Sequence, residues 1–183
     1  ASVSAVMLEP IQGEGGVIPA DAGYLQAVQQ LCRERGLLFM MDEVQTGFCR
    51  TGKWFGFEHA GVQPDVVTLA KGIGNGMPVG AVWARRDVAA VMAPGDHGST
   101  YSGTAIATAA VNAVIDEMER IDAASLAVER GAQIRSELND VPGILGVRGS
   151  GLLLGVALAD GIDANEVAAR LLSAGLIVNA VNA

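Results

Sequence analysis

The sequence predicts an α/β protein: a three-layer, mainly parallel sheet over residues 1–121, followed by a smaller α+β part over residues 122–183. Three observations carry this. The apolar runs are short and continuous, as strands covered on both faces are, and do not alternate with polar residues. They are separated by a segment of helical period and by long glycine-rich loops. Beyond residue 121 the pattern changes to two helices flanking a pair of short apolar stretches.

The first run, Ser2 to Glu9, stops at Pro10-Ile11-Gln12-Gly13-Glu14-Gly15-Gly16, so it reads as a buried strand with its exit loop. Asp21 is placed to cap a helix in which Tyr24, Val28 and Leu31, with Leu25 and Cys32, recur at helical spacing until Gly36 ends it. Leu37 to Met41 is too short for a helix and ends at Asp42-Glu43, giving a second strand. A polar, glycine-rich excursion covers Thr46 to Gly61. Pro64-Asp65 then opens a third run, Val66 to Ala70, and Val79 to Ala84 makes a fourth.

Gly103 to Arg120 is alanine-rich and predicts a long helix packing through small residues, with a second helix from Ala123 to Asn139. Ile144 to Val147 and Leu152 to Leu158, split by Arg148-Gly149-Ser150-Gly151, read as paired strands. Asp163 and Glu166 form a capping-box-like start to a helix ending near Gly175, and Leu176 to Ala183 reads as one more strand.

Half of the residues are hydrophobic, enough for a real core, and the net charge is −8. With the basic residues scattered, that charge gives no footprint for nucleic acid or an anionic membrane, and points instead to a small-molecule ligand. No apolar stretch approaches the roughly 20 residues that span a bilayer, and no secretory signal opens the sequence, so the expectation is a soluble, cytoplasmic protein. Cys32 and Cys49 make neither a disulfide framework nor a metal motif. His59 and His97 lack matching ligand spacing, so no metal site is expected.

Ligands of open α/β sheets collect at the carboxyl ends of strands, and Glu9, Asp42 and Lys71 each stand at or just past such an end. The glycines after Lys71, Gly72-x-Gly74-x-Gly76, are neither a dinucleotide fingerprint nor a Walker loop, which would place its lysine after the glycines. They serve a tight turn or give a lysine room to swing. An amine just past a buried strand is partly desolvated, which lowers its pKa and favours attack on a carbonyl. Taken alone, a lysine there is more often a solvated strand end, and Asp42 reads equally as a helix cap or one half of a surface ion pair.

Four segments in this order, EPIQGEGG (9–16), DEVQTGFCRTG (42–52), PDVVTLAKGIGNGMPVGA (64–81) and HGSTYSG (97–103), resemble the class III pyridoxal-phosphate aminotransferases, and the resemblance covers nearly the whole chain. It implies that residues 1–121 are the C-terminal portion of the cofactor-binding major domain and 122–183 part of the small domain. It implies pyridoxal 5'-phosphate as cofactor, with Lys71 as the amine that holds it and then moves a proton between substrate and cofactor. Asp42 would hold the pyridinium nitrogen, Val44 would pack on the ring face, and Gln45 would bond near the phenolic oxygen. Thr100 would reach the cofactor phosphate of a neighbouring subunit, which makes the active site shared across a homodimer. Glu14 and Ser99 would meet the substrate, and Glu9 would support Asp42.

Within the class, the resemblance leans to the enzymes that transfer the terminal amino group of N-acetylornithine to 2-oxoglutarate in arginine biosynthesis. Ornithine and 4-aminobutyrate aminotransferases are the alternatives. From other classes come a nucleotide-binding α/β module without covalent chemistry and a catalytically dead partner of another chain. Two departures stand out. Thr104-Ala105 replaces the family's Asn-Pro, and no Ser/Gly/Ala-rich phosphate turn precedes Glu9. The expectation is therefore a partial enzyme, inefficient alone, with a second chain as one source of the missing half.

Overall fold

In the computed structural model of the chain, residues 2–181 are described. The strands are β1 (Ala5–Leu8), β2 (Ile11–Gln12) and β3 (Ile18–Pro19), then β4 (Leu38–Asp42), β5 (Val66–Leu69), β6 (Ala81–Ala84), β7 (Ile144–Ser150) and β8 (Leu153–Leu158). The helices are α1 (Ala22–Arg35), α2 (Arg86–Ala89), α3 (Ala105–Arg120), α4 (Ala123–Leu138) and α5 (Ala164–Ser173).

The main sheet has the order β1-β4-β5-β6. β1, β4 and β5 run parallel, and β6 pairs with β5 antiparallel. The β5-to-β6 connection carries only a short 3-10 turn, Lys71–Ile73, and no crossover helix, so the chain returns alongside the strand it has just left. β2 and β3 form a two-residue antiparallel ladder between β1 and α1.

Asp21 caps α1 by accepting the Tyr24 N–H at 3.0 Å, and Gly36 ends it in the left-handed region at φ 63°. The buried face of α1 is Leu25, Gln29 and Cys32, a 4- and 3-residue spacing. Tyr24 and Leu31, expected on that face, are exposed; Gln29 takes its place because its amide is satisfied by the Gln63 carbonyl at 2.6 Å. Gln26 likewise donates to the Ala60 carbonyl, at 2.8 Å. Leu25 and Cys32 meet Phe39, Met41, Ala60 and Val62 in the core. Phe39 and Met41 are completely enclosed, and truncating either to alanine should cost on the order of 2–5 kcal/mol.

Two expectations change. Arg148, Gly149 and Ser150 do not separate β7 from β8, because they pair in register with Gly155, Leu154 and Leu153 and extend the hairpin to Ser150. Residues 176–181 form no strand, since no described strand lies alongside to take their hydrogen bonds; Asn182 and Ala183 of that run lie outside the described residues. Of the capping box at α5, Asp163 supplies its half by accepting the Asn165 and Glu166 N–H groups. Among the described residues, no helix is long and apolar enough to cross a membrane.

Candidate active site

Alternation along β4 decides what the pair Asp42-Glu43 can do. Phe39 and Met41 point to α1, so Glu43 follows them to that side while Asp42 faces the opposite one, with Leu38 and Met40. Asp42 stands in register with Thr68 of β5, and one step beyond the Leu8–Met41 pair places Glu9 beside it. The carboxyl ends of three strands thus bring Glu9, Asp42 and Thr68 into one row, with Lys71 three residues past Thr68.

Asp42 accepts the Val44 N–H through Oδ1 at 2.9 Å, which turns the chain sharply as it leaves β4. Beside it, the Thr68 hydroxyl is buried with no hydrogen-bond partner among the described residues. A buried hydroxyl normally finds a partner, so this one marks the row as built for a polar group. Glu9 takes the Gly13 N–H at 3.0 Å and so fixes the loop that carries Glu14. Gln45 Nε2 donates to Glu14 Oε1 at 3.3 Å, and a Cβ on Gly13 would fall 2.4 Å from the Gln45 Oε1. Gly13 is therefore the space that lets these two side chains meet.

Lys71 has φ 50°, a left-handed conformation uncommon outside glycine and concentrated at functional positions. The turn holding it is closed by Gly74 and Asn75 N–H groups, both donating to the Lys71 carbonyl. The following glycines serve this turn: a Cβ on Gly74 would lie 2.2 Å from the Met77 carbonyl oxygen, and Gly76 has φ 108°. Gly72 rests on Phe48, whose Cβ would be 3.3 Å from an added methyl. Lys71 itself is exposed, which corrects the expected desolvation. The sequence holds two lysines, and the other, Lys53, donates its ammonium to the Glu58 carbonyl at 3.1 Å.

Ser99 and Thr100 sit elsewhere, on a segment in which residues 91–103 are all exposed. Among the described residues they make no hydrogen bond to Glu14, Asp42, Gln45 or Lys71. Ser99 Oγ accepts only the Tyr101 N–H, at 3.3 Å.

Glu43 is the residue that reading along the sequence passed over. It is fully buried, yet it accepts the Gly56 and Phe57 N–H groups at 2.8 Å each and the Thr46 hydroxyl. Burial pushes its carboxyl above the usual carboxylate range, against the lowering effect of these three donors. The signal was available: a carboxylate one residue beyond a buried strand, on the core side by alternation, must be paired by something. Around it Phe48 and Phe55 meet edge to face, and Phe55 stacks on Phe57. The excursion from Thr46 to Gly61 is thereby a packed wall of the site, with Thr46, Phe48, Cys49 and Thr51 all buried.

A cavity of about 840 Å³ lies on the other side of the sheet, lined by Cys32, Phe39, Val67, Leu69 and Trp83. Glu14, Asp42, Gln45 and Lys71 do not line it, so the larger hollow and the ionisable row are separate features. Among the described residues no group of three or more His, Cys, Asp and Glu side chains is arranged to hold a metal ion.

Comparison with known proteins bears on this geometry. The family model described as aminotransferase class-III matches residues 1–183. Acetylornithine aminotransferase 1 of Bordetella parapertussis is 49% identical over 181 residues, covering 97% of this chain and 46% of that protein. The acetylornithine aminotransferase of Bacillus subtilis (strain 168) is 46% identical over 180 residues, covering 96% and 46%. Among solved structures, the ornithine aminotransferase from Toxoplasma gondii ME49 superposes with a TM-score of 0.91 at 39% identity, over 97% of this chain and 44% of that one. The acetylornithine aminotransferase from Elizabethkingia anophelis gives 0.87 at 38% identity, over 94% and 45%. The chain spans about half the length of the curated relatives it matches.

Proposed function

The chain belongs to the class III aminotransferases, whose cofactor is pyridoxal phosphate, and we propose that it serves the transfer of the terminal amino group of N-acetylornithine to 2-oxoglutarate, in arginine biosynthesis. The observation that carries this reading is the row at the strand ends: a carboxylate, a buried hydroxyl with no partner among the described residues and, three residues on, a lysine in a strained turn. Membership of an enzyme family sets aside the nucleotide-binding module.

The residues present fit the cofactor. Asp42 keeps an acceptor facing the open side of the sheet, suited to a protonated ring nitrogen, and the Thr68 hydroxyl beside it offers a further polar contact. Val44 and Gln45 follow on the same loop, which starts at the Asp42 turn; Val44 would pack on the ring face and Gln45 would bond near its oxygen. When bound, pyridoxal phosphate supplies a ring that accepts electrons from the substrate carbon. Lys71 would hold the cofactor through its amine and then move a proton between substrate and cofactor, and Glu14 and Ser99 would meet the substrate. Thr100, on its exposed segment, serves the phosphate of a neighbouring subunit. Glu9 steadies both the Glu14 loop and the neighbourhood of Asp42.

The same reading makes the protein a cytoplasmic homodimer with shared sites, divided near residue 121 into a cofactor part and a smaller part. The remaining half of the site comes from polypeptide outside these 183 residues, in the same or a second chain. Acetylornithine is preferred because the curated relatives carry that activity in their names, while the likeness in three dimensions to ornithine aminotransferases keeps ornithine as the second reading. Transamination of N-acetylornithine, ornithine and 4-aminobutyrate by the complete protein, with 2-oxoglutarate as acceptor, tests this. N-Acetylornithine should give the highest kcat/KM; a preference for ornithine would move the assignment, and no turnover with any amine would leave the dead-partner reading.

A further inference from the structure

Glu14 sits at the exposed tip of a loop whose base is held from far along the chain. Gly16 and Val17 both donate their N–H to the Gly13 carbonyl, at 3.1 Å, which makes residues 13–17 one tight turn. Val17 is buried with φ 55°, a conformation that a β-branched residue adopts only where its surroundings over-determine it. Those surroundings are the hairpin β7–β8. Arg148 donates Nε–H to the Gly16 carbonyl at 2.6 Å, 132 residues away in sequence.

The hairpin is shaped for this contact. Gly155 is the register partner of Arg148, and a Cβ there would lie 2.9 Å from the Val17 Cβ and 3.1 Å from the Gly16 carbonyl oxygen. A Cβ on Gly149 would lie 2.9 Å from Val17 Cγ1. Two absent side chains therefore make the seat into which Val17 fits. The hairpin is anchored on its own account, since Arg135 of α4 donates to the Val147 and Gly149 carbonyls. It also reaches the second loop of the site: Leu152 N–H donates to the Arg50 carbonyl at 2.9 Å, five residues past Gln45. One rigid element thus holds both loops whose side chains meet in the Gln45–Glu14 hydrogen bond.

We propose that Arg148 is a positioning residue: with the Gly149–Gly155 seat it fixes the Glu14 loop relative to Gln45, and thereby sets how the site distinguishes the ω-amine donor from glutamate, the product of the 2-oxoglutarate half-reaction. The selectivity part rests on the reading that Glu14 meets the substrate; the positioning part does not. Among the described residues Arg148 makes no hydrogen bond to Glu14, Asp42, Gln45 or Lys71, and it acts through the Gly16 carbonyl.

Hydrogen exchange on the full chain tests the positioning. In Arg148→Met, which keeps the aliphatic stem, the Gly16 and Val17 amides should exchange roughly ten-fold faster while the amides of β1, β4 and β5 stay as they were, because a charged donor to one carbonyl is lost locally. Arg148→Lys, which can still donate, should recover part of the protection. Gly155→Ala, which keeps the guanidinium but intrudes on Val17, should loosen the same amides. Unchanged exchange in the loop, or an equal rise through the whole sheet, would overturn the proposal. In the complete protein, Arg148→Met should change kcat/KM for glutamate and for the ω-amine donor by unequal factors; equal losses would remove the selectivity role. Absence of both half-reactions in the wild-type protein would count against the transaminase reading and leave the exchange result to decide the positioning.

Discussion

The buried carboxylate of Glu43 takes the backbone N–H groups of Gly56 and Phe57, each at 2.8 Å, and so closes the loop that starts at Asp42. Adjacent residues on one strand end thus divide the labour by facing opposite ways, Glu43 holding the wall and Asp42 facing the row of candidate cofactor contacts. Glu43→Gln presents one oxygen and an NH2 to three donors, so a buried N–H of the loop loses its acceptor, at about 1–3 kcal/mol. The thermal midpoint, followed by circular dichroism at neutral pH, should fall by several degrees, at about 2–4 °C per kcal/mol for a chain of this size. An unchanged midpoint would mean that the loop does not depend on the carboxylate.

The surroundings of His59 give the chain a pH dependence whose sign follows from them. Partial desolvation of the ring on the Thr51 side, then the charge of Lys53, lowers its pKa below the ordinary 6.5 although the residue as a whole is exposed, and its Nε2 lies 3.1 Å from Thr51 Oγ1. The unfolded chain therefore binds that proton more readily, so stability is fully present above the ordinary value and is lost as pH falls through it toward the lowered folded value. Urea unfolding of wild type should show this loss on acidification, and His59→Gln should lose less over the same range. Parallel curves for the two proteins would rule the contribution out.

Asp42→Asn separates structure from cofactor binding. The asparagine oxygen can still accept the Val44 N–H, so the thermal midpoint should move little. What is lost is the negative charge toward a protonated ring nitrogen, a charge-assisted bond, so the affinity for pyridoxal phosphate should fall roughly ten-fold or more. Absorbance titration of both proteins measures it. Equal affinities would remove Asp42 from the cofactor site.

The sheet was legible in the sequence because buried parallel strands announce themselves as short apolar runs, and Asp21 and Gly36 mark the ends of α1 with side chains whose only cheap conformation there is a cap. The sidedness of α1 was not, since Gln29 enters the core only through a carbonyl that tertiary structure supplies. Arg148 read as part of a break between strands because glycines flank it, and only the approach of Val17 explains why those glycines lie inside a hairpin. Lys71 and Asp42 stand out by their place at strand ends, whereas Glu43, in the same dipeptide, is marked only by the alternation that puts it in the core. Ser99 and Thr100 are recognisable from their motif alone: among the described residues, Ser99 bonds only to Tyr101 and Ser102 of its own exposed segment.

The central claim is that Lys71 carries the cofactor, and the chain's having only Lys53 as an alternative makes the claim sharply testable. Borohydride reduction of the protein incubated with pyridoxal phosphate, followed by peptide mapping, should place the reduced cofactor on the Lys71 peptide and leave Lys71→Ala unlabelled. Label on the Lys53 peptide, or undiminished label in Lys71→Ala, would contradict the account.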